Sequence, residues 1–148
     1  MVIFTIDHVL LNLKPMPVPQ AHIPKIIDMV KEKVAMGILE PSNAPYSNRW
    51  FMVPKKNGSL RFLQDLQPVN KVTIQNFGVG PIVDEFAKAY AGHATYSIGD
   101  LYSGYNKFQL VVESRDITIM RTPIGLVSMC TLPQGATNSV AHMMNAMN

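Results

Sequence analysis

The 148-residue sequence has one cysteine, Cys130, and little charge: charged residues make up 16% of the chain. One thiol excludes an internal disulfide framework and a cysteine-rich zinc site. Sparse charge, set against roughly 25% in an average soluble domain, points to surface that a partner or further chain would cover. Long apolar runs are also missing. The opening stretch from Met1 to Leu13 is interrupted by Asp7 and His8, so neither a transmembrane helix nor a clean signal peptide fits. No membrane contact and an intracellular location, cytoplasm or nucleus, are the expectations.

Apolar residues are plentiful, at 47%, which argues against gross disorder. Ten methionines, with Met120, Met129, Met143, Met144 and Met147 toward the end, suggest adaptable packing. The net charge of +3 is unevenly placed. Residues 14–71 hold Lys14, Lys25, Lys31, Lys33, Arg49, Lys55, Lys56, Arg61 and Lys71 against Asp28, Glu32, Glu40 and Asp65. The rest of the chain is near neutral. A basic half suits a polyanion, and an ordinary solvated face explains it equally well.

Four prolines in residues 14–24 make that stretch an extended arm. Pro24 suits a first helical turn, and Ile26, Ile27, Val30 and Val34 follow at helical spacing, so a helix is predicted over 24–36 and stopped by Gly37. Two short strands, Trp50–Val53 and Leu60–Leu63, flank Lys55-Lys56-Asn57-Gly58-Ser59, a hairpin signal. Pro81 should open a helix running to about Tyr90 and closed by Gly92. Strands are predicted at Thr95–Ile98 and Lys107–Val112. A second hairpin of Ile117–Thr122 and Leu126–Leu132 turns at Pro123-Ile124-Gly125. A last helix starts near Asn138, whose side chain could cap it, and runs to the final residue. The fold class is α+β, a mostly antiparallel sheet with packed helices.

Three places could carry chemistry. Asp100 closes a strand before the tight Ser103-Gly104-Tyr105 stretch, where a carboxylate can reach a divalent cation or simply form a turn. Gln134, in Leu132-Pro133-Gln134-Gly135, offers donor and acceptor beside a glycine that admits close approach. Lys55, Lys56 and Arg61 could clamp a triphosphate, or could be an edge hairpin kept soluble by lysine.

The strings GILEPSNAPYSN, VPKKNGSLRFLQDLQPVNKVT, YSIGDLYSGYNKFQL, RTPIGL and LPQGATNS run in order over residues 36–139. In that order and spacing the chain resembles a reverse transcriptase, an RNA-directed DNA polymerase of the retrovirus and long-terminal-repeat (gypsy-like) retrotransposon kind. The resemblance implies the fingers and first part of the palm of a right-hand polymerase. Residues 1–23 would be an extended arm, 24–93 a fingers-like region and 94–148 a partial palm, truncated before the family's Tyr-x-Asp-Asp hairpin. It implies addition of dNTPs to a primer 3′-OH by two-metal phosphoryl transfer on an RNA or DNA template. Asp100 would be a catalytic Mg²⁺ ligand, with the Leu101 backbone carbonyl as another. Lys55, Lys56 and Arg61 would meet the nucleotide's phosphates, Tyr105 would gate its sugar, and Gln134 would line the sugar pocket. Asp65 would be structural. The rest of a retroelement polyprotein would be a partner, and a retroelement particle another location.

The sequence departs from the family pattern at Gln67, where arginine is usual, at Gly99, where a bulky apolar residue is usual, and at Val140, where proline is usual. No Asp or Glu follows Asp116, so the family's second and third metal-binding aspartates have no counterpart here. The expectation is a polymerase segment inactive as an isolated chain, or else a non-catalytic nucleic-acid-binding remnant.

Overall fold

A computed structural model describes every residue except 77, 79, 81 and 148. The arm is extended and tethered at intervals. Thr5 bridges to Thr73 and Asn12 to Ser47, while Ile3 and Leu11 add apolar cover to a core cluster.

Helix α1, Ile23–Ala35, follows a 3-10 turn at Gln20–His22 and has Pro24 in its first turn. Its apolar stripe is buried at Ile26 and Val30. The helix ends as its sequence requires. Gly37, at φ +70°, donates to the Val34 carbonyl (3.0 Å), and Ile38 donates to that of Lys33 (2.9 Å). This 5→2 and 6→1 pair satisfies carbonyls the helix leaves open, and glycine takes the left-handed position without a Cβ clash.

The chain then enters β1, Leu39–Pro41. It pairs antiparallel with β5, Gly125–Met129, which pairs on its other side with β4, Met120–Thr122. A separate antiparallel pair joins β2, Trp50–Pro54, to β3, Leu60–Gln64, with Trp50 opposite Gln64 and Val53 opposite Arg61. Ile26, Val30, Leu39, Trp50, Met120 and Val127 form the main core, with Met52 and Phe62 packed against it. The Trp50 and Phe62 rings stack at 5.1 Å. Burying side chains of this size stabilises by about 1.5–3 kcal/mol each. Asn48 is buried beside them and donates to the carbonyls of Ile117 (2.6 Å) and Ile119 (3.1 Å), fixing the 42–49 loop to the strand side. A second core gathers Leu66, Val69, Ile117 and Ala136. It is built around the short helix α2, Gln67–Val72.

The architecture is α+β with antiparallel sheets and packed helices, as the sequence predicts, and several elements differ in extent. Residues 95–98 form no strand; they are exposed and lack regular structure. The expected 107–112 strand shrinks to one bridge, Gln109 to Thr131, between 3-10 turns at Gly104–Lys107 and Val112–Ser114. Its partner strand supplies Cys130 and Leu132, then reaches Pro133, which has no N–H for the ladder. The 117–122 strand begins at Met120, because Thr118 sits in a 3-10 turn. There its hydroxyl donates to the Arg115 carbonyl (2.6 Å) and accepts from the Met129 N–H (2.8 Å), standing in for backbone pairing. The strand expected over 126–132 is regular only to Met129.

Helix α3 is Val83–Tyr90, and the proposed start at Pro81 lies outside the described residues. Helix α4 is Ser139–Met147. Asn138 precedes α4 as expected, but its amide is bonded to residues 74 and 76 instead of capping the helix. β1 and α2 carry no local sequence signal that predicts them. Among the described residues no helix is long and apolar enough to cross a membrane.

Candidate functional site

The β2–β3 tip is a tight loop with fixed internal bonding. Gly58, at φ +77°, donates to the Lys55 carbonyl (2.9 Å), and Lys55 donates to that of Ser59 (2.7 Å). The Asn57 Oδ1 accepts from the Ser59 N–H (3.1 Å) and hydroxyl (2.7 Å). Asn-Gly thus serves here in a turn that ends on a left-handed glycine, one of the favoured hairpin closures. Lys55, Lys56 and Arg61 are all exposed. Arg61 lies opposite Val53 on the face that looks away from Trp50, Met52 and Phe62. The ion pair among the described residues is Arg115 with Glu40, at 2.8 Å, so no carboxylate among the described residues pairs with the hairpin's three cations. Lys33, half-buried near the end of α1, has its pKa lowered mainly by burial; Glu32 opposes the shift and Lys55 adds to it. Like charge therefore reaches from the hairpin tip to α1.

Asp100 is exposed at the end of an irregular segment. The neighbouring Leu101 carbonyl accepts from the Gly104 N–H (3.2 Å). Ser103 turns the chain with φ +52°, a left-handed conformation costing a non-glycine residue about 1–2 kcal/mol. Gly104 is buried, and a Cβ there would lie 3.2 Å from Met143 Cε and 3.4 Å from Leu101 Cβ. Tyr105, next in line, is half-buried.

Gln134 is exposed in the turn between the β5 side and α4, next to Gly135 at φ +92°. Backbone bonds from Leu132 N–H to the Phe108 carbonyl (3.0 Å) and from Leu110 N–H to that of Cys130 (2.8 Å) pair the segments leading away from the two turns. The Tyr105 and Gln134 turns therefore share one end of that pairing, and Phe108 meets His142 of α4 edge-on at 5.7 Å. Burial lowers the His142 pKa, with the chain's amino terminus adding to the effect.

The predicted residues thus form two groups: Lys55, Lys56 and Arg61 on the hairpin, and Asp100, Leu101, Tyr105 and Gln134 around the two turns. Among the described residues no hydrogen bond or ion pair links Asp100 to the hairpin tip. Nor does any cluster of three His, Cys, Asp or Glu side chains that could hold a metal ion occur among them. Asn70 and Asn138, which grip the backbone around the Gln134 turn, are not evident from sequence. Their long-range partners lie more than sixty residues away, and the one local signal, Asn138 as a candidate helix cap, pointed to a different partner.

No family model matches the chain. Its relatives include the transposon Tf2-3 polyprotein of Schizosaccharomyces pombe, 25% identical over 93% of this chain and 10% of that protein. The retrovirus-related Pol polyprotein from transposon 297 of Drosophila melanogaster is 27% identical over 97% of this chain and 15% of that protein. The chain therefore spans a small part of these curated relatives. In fold it matches the foamy viral protease-reverse transcriptase in complex with dsDNA, with a TM-score of 0.77 and 18% identity over 99% of this chain and 29% of that one. The native prototype foamy virus protease-reverse transcriptase gives a TM-score of 0.72 and 23% identity, covering 95% of this chain and 19% of that one. Motif order, sequence relatives and fold converge: the chain is a relative of retrotransposon polyproteins with a reverse transcriptase-like fold.

Proposed function

We propose that the chain is the nucleotide- and template-facing part of an RNA-directed DNA polymerase, with residues 24–93 as fingers and 94–148 as partial palm. The observation that carries this reading is the exposed cationic hairpin, Lys55, Lys56 and Arg61, with no ion-pair partner among the described residues, on a chain whose relatives are retrotransposon polyproteins. Lysine supplies point charge and arginine a planar fork for phosphate oxygens, the groups that hold a dNTP's triphosphate. The same basic face binds a template backbone by releasing counterions. Solved foamy viral relatives are complexes with dsDNA and with an RNA/DNA hybrid, which supports a nucleic-acid partner. Tyr105 gates the nucleotide sugar and Gln134 lines its pocket.

Phosphoryl transfer of this kind uses paired Mg²⁺ ions. One carboxylate, Asp100, and the Leu101 carbonyl do not make a two-metal donor set, and the described residues offer no further acidic cluster. The residues present fit binding and do not by themselves fit catalysis, so the isolated chain binds substrate without extending a primer. The same donor set favours a second reading, a nucleic-acid-binding remnant with no catalytic part in any larger assembly.

Primer extension on an RNA template with Mg²⁺ and four dNTPs tests the first reading, alongside template–primer binding across a salt series. The expected result is no extension, with binding that weakens steeply as salt rises and loses slope when Lys55, Lys56 and Arg61 are neutralised. Templated incorporation abolished by Asp100→Asn would overturn inactivity. Salt-insensitive binding would overturn the interface. Under the remnant reading dNTP does not bind, and Asp100→Asn changes nothing.

A further inference from the structure

Two asparagines grip the Gln134 turn from opposite directions in sequence. Asn70, in α2, donates from Nδ2 to the Gly135 carbonyl (2.9 Å) and accepts at Oδ1 from the Thr137 N–H (2.9 Å). Asn138 reaches the other way, donating from Nδ2 to the Ile74 carbonyl (2.9 Å) and accepting at Oδ1 from the Asn76 N–H (2.8 Å). Four bonds from two carboxamides therefore tie residues 70–76 to residues 135–138. A carboxamide suits this task because it presents a donor and an acceptor on one planar group. Aspartate would keep the acceptor and lose the donor, and alanine would lose both.

The turn is secured from within as well. The Pro133 carbonyl accepts from the Ser139 hydroxyl (2.8 Å) and the Ala136 N–H (3.3 Å). Gly135 supplies the left-handed corner. Gln134 stands exposed on this braced turn, and no hydrogen bond among the described residues occupies its side-chain amide. A binding side chain held on fixed backbone loses less freedom when a ligand arrives, and placement errors weaken every contact it makes.

We infer that Asn70 is a positioning residue for the nucleotide pocket: through Gly135 and Thr137 it holds the Gln134 turn in its receiving geometry, with Asn138 bracing the same turn. The inference rests on the reading of Gln134 as a nucleotide contact. Calorimetric titration of dTTP into the full chain with a poly(rA)–oligo(dT) template–primer and MgCl₂ tests it. The variants are Asn70→Ala, Asn70→Asp, Gln134→Ala and the Asn70→Ala/Gln134→Ala double.

Asn70→Ala should weaken dTTP binding about tenfold, in the range of coupled contacts, and Asn70→Asp should fall between it and the unaltered chain. The double variant should bind no more weakly than Gln134→Ala, because a residue acting through Gln134 has nothing left to position. Additive losses, which a merely structural role produces, would overturn the inference, as would unchanged affinity in Asn70→Ala. If Asn70→Ala does not melt cooperatively, Asn70→Asp in the Gln134→Ala background decides by the same criterion. Failure of the unaltered chain to bind dTTP sinks the nucleotide reading and this inference together. Binding indifferent to Asn70 sinks only this one.

Discussion

Helices α1 and α3 are both amphipathic, yet they meet opposite fates. The stripe of α1 lies against Leu39, Trp50, Met120 and Val127, and Ile26 and Val30 are wholly buried. Helix α3 has acids in its first turn, a lysine in its last and an apolar side of Val83, Phe86 and Tyr90, but no buried residue. Its arrangement suits the helix dipole, and Phe86 and Tyr90 meet each other one turn apart at 4.5 Å. The irregular segment that follows is equally bare, with Ile98 97% exposed. Periodicity shows that a face is apolar; whether the face is covered depends on partners elsewhere in the chain. The molecule divides into a packed part that includes the basic hairpin and a part, residues 82–103, whose apolar side chains have no cover among the described residues.

The largest expected effect tests that division. Ile26→Ala should lose about 2–5 kcal/mol of stability in urea denaturation, the range for emptying a buried site. Phe86→Ala should change stability by less than about 0.5 kcal/mol, as exposed substitutions do. Comparable losses would mean that α3 is covered in solution and that the contrast is wrong.

A somewhat smaller effect probes the packed part through pH. Burial, reinforced by the adjoining Glu40 carboxylate, pushes the Cys130 thiol up to about 11 from 9.0, with Arg115 opposing. The folded chain thus holds this proton more tightly than the unfolded chain. The resulting stability is fully present below pH 9 and is lost as the pH rises through about 11. The loss is up to about 2–3 kcal/mol. Cys130→Ala should show a flatter fall across that window than the unaltered chain. Parallel curves would remove the thiol as the cause.

How much the sequence disclosed follows the same division. α1, its glycine stop, the β2–β3 hairpin and α4 come from local signals that the structure satisfies nearby. Gly37 and Ile38 close α1 with bonds to the Val34 and Lys33 carbonyls, a few residues away. What failed was decided at long range. The 107–112 strand depends on a partner that runs out at Pro133, and β1 exists because Leu39–Pro41 pairs with residues 127–129. Asn138 looked like a cap from sequence and instead serves residues 74 and 76. The residues of the candidate site came from motif order, whereas the clamps that brace its Gln134 turn needed coordinates. A side-chain hydrogen bond across sixty residues leaves no local periodicity to read.

Two glycines provide the smallest and sharpest comparison. Gly58 at the hairpin tip and Gly99 beside Asp100 both have open space where a Cβ would go. Sterics with neighbours therefore cannot separate them, and backbone conformation can. Gly58 sits at φ +77°, where a side chain costs about 1–2 kcal/mol, and its N–H closes the turn that sets Lys55 and Lys56. Gly99 is not in the left-handed region, and alanine there mainly restricts the unfolded chain, which favours folding by about 0.4–1 kcal/mol at a compatible site. Gly58→Ala should thus lower the urea midpoint and weaken template–primer binding at low salt, whereas Gly99→Ala should leave binding unchanged and hold or slightly raise the midpoint. A destabilising Gly99→Ala would show that the segment before Asp100 is ordered in solution by contacts beyond those in this chain's fold, and the bare region would then have to be read as a covered one.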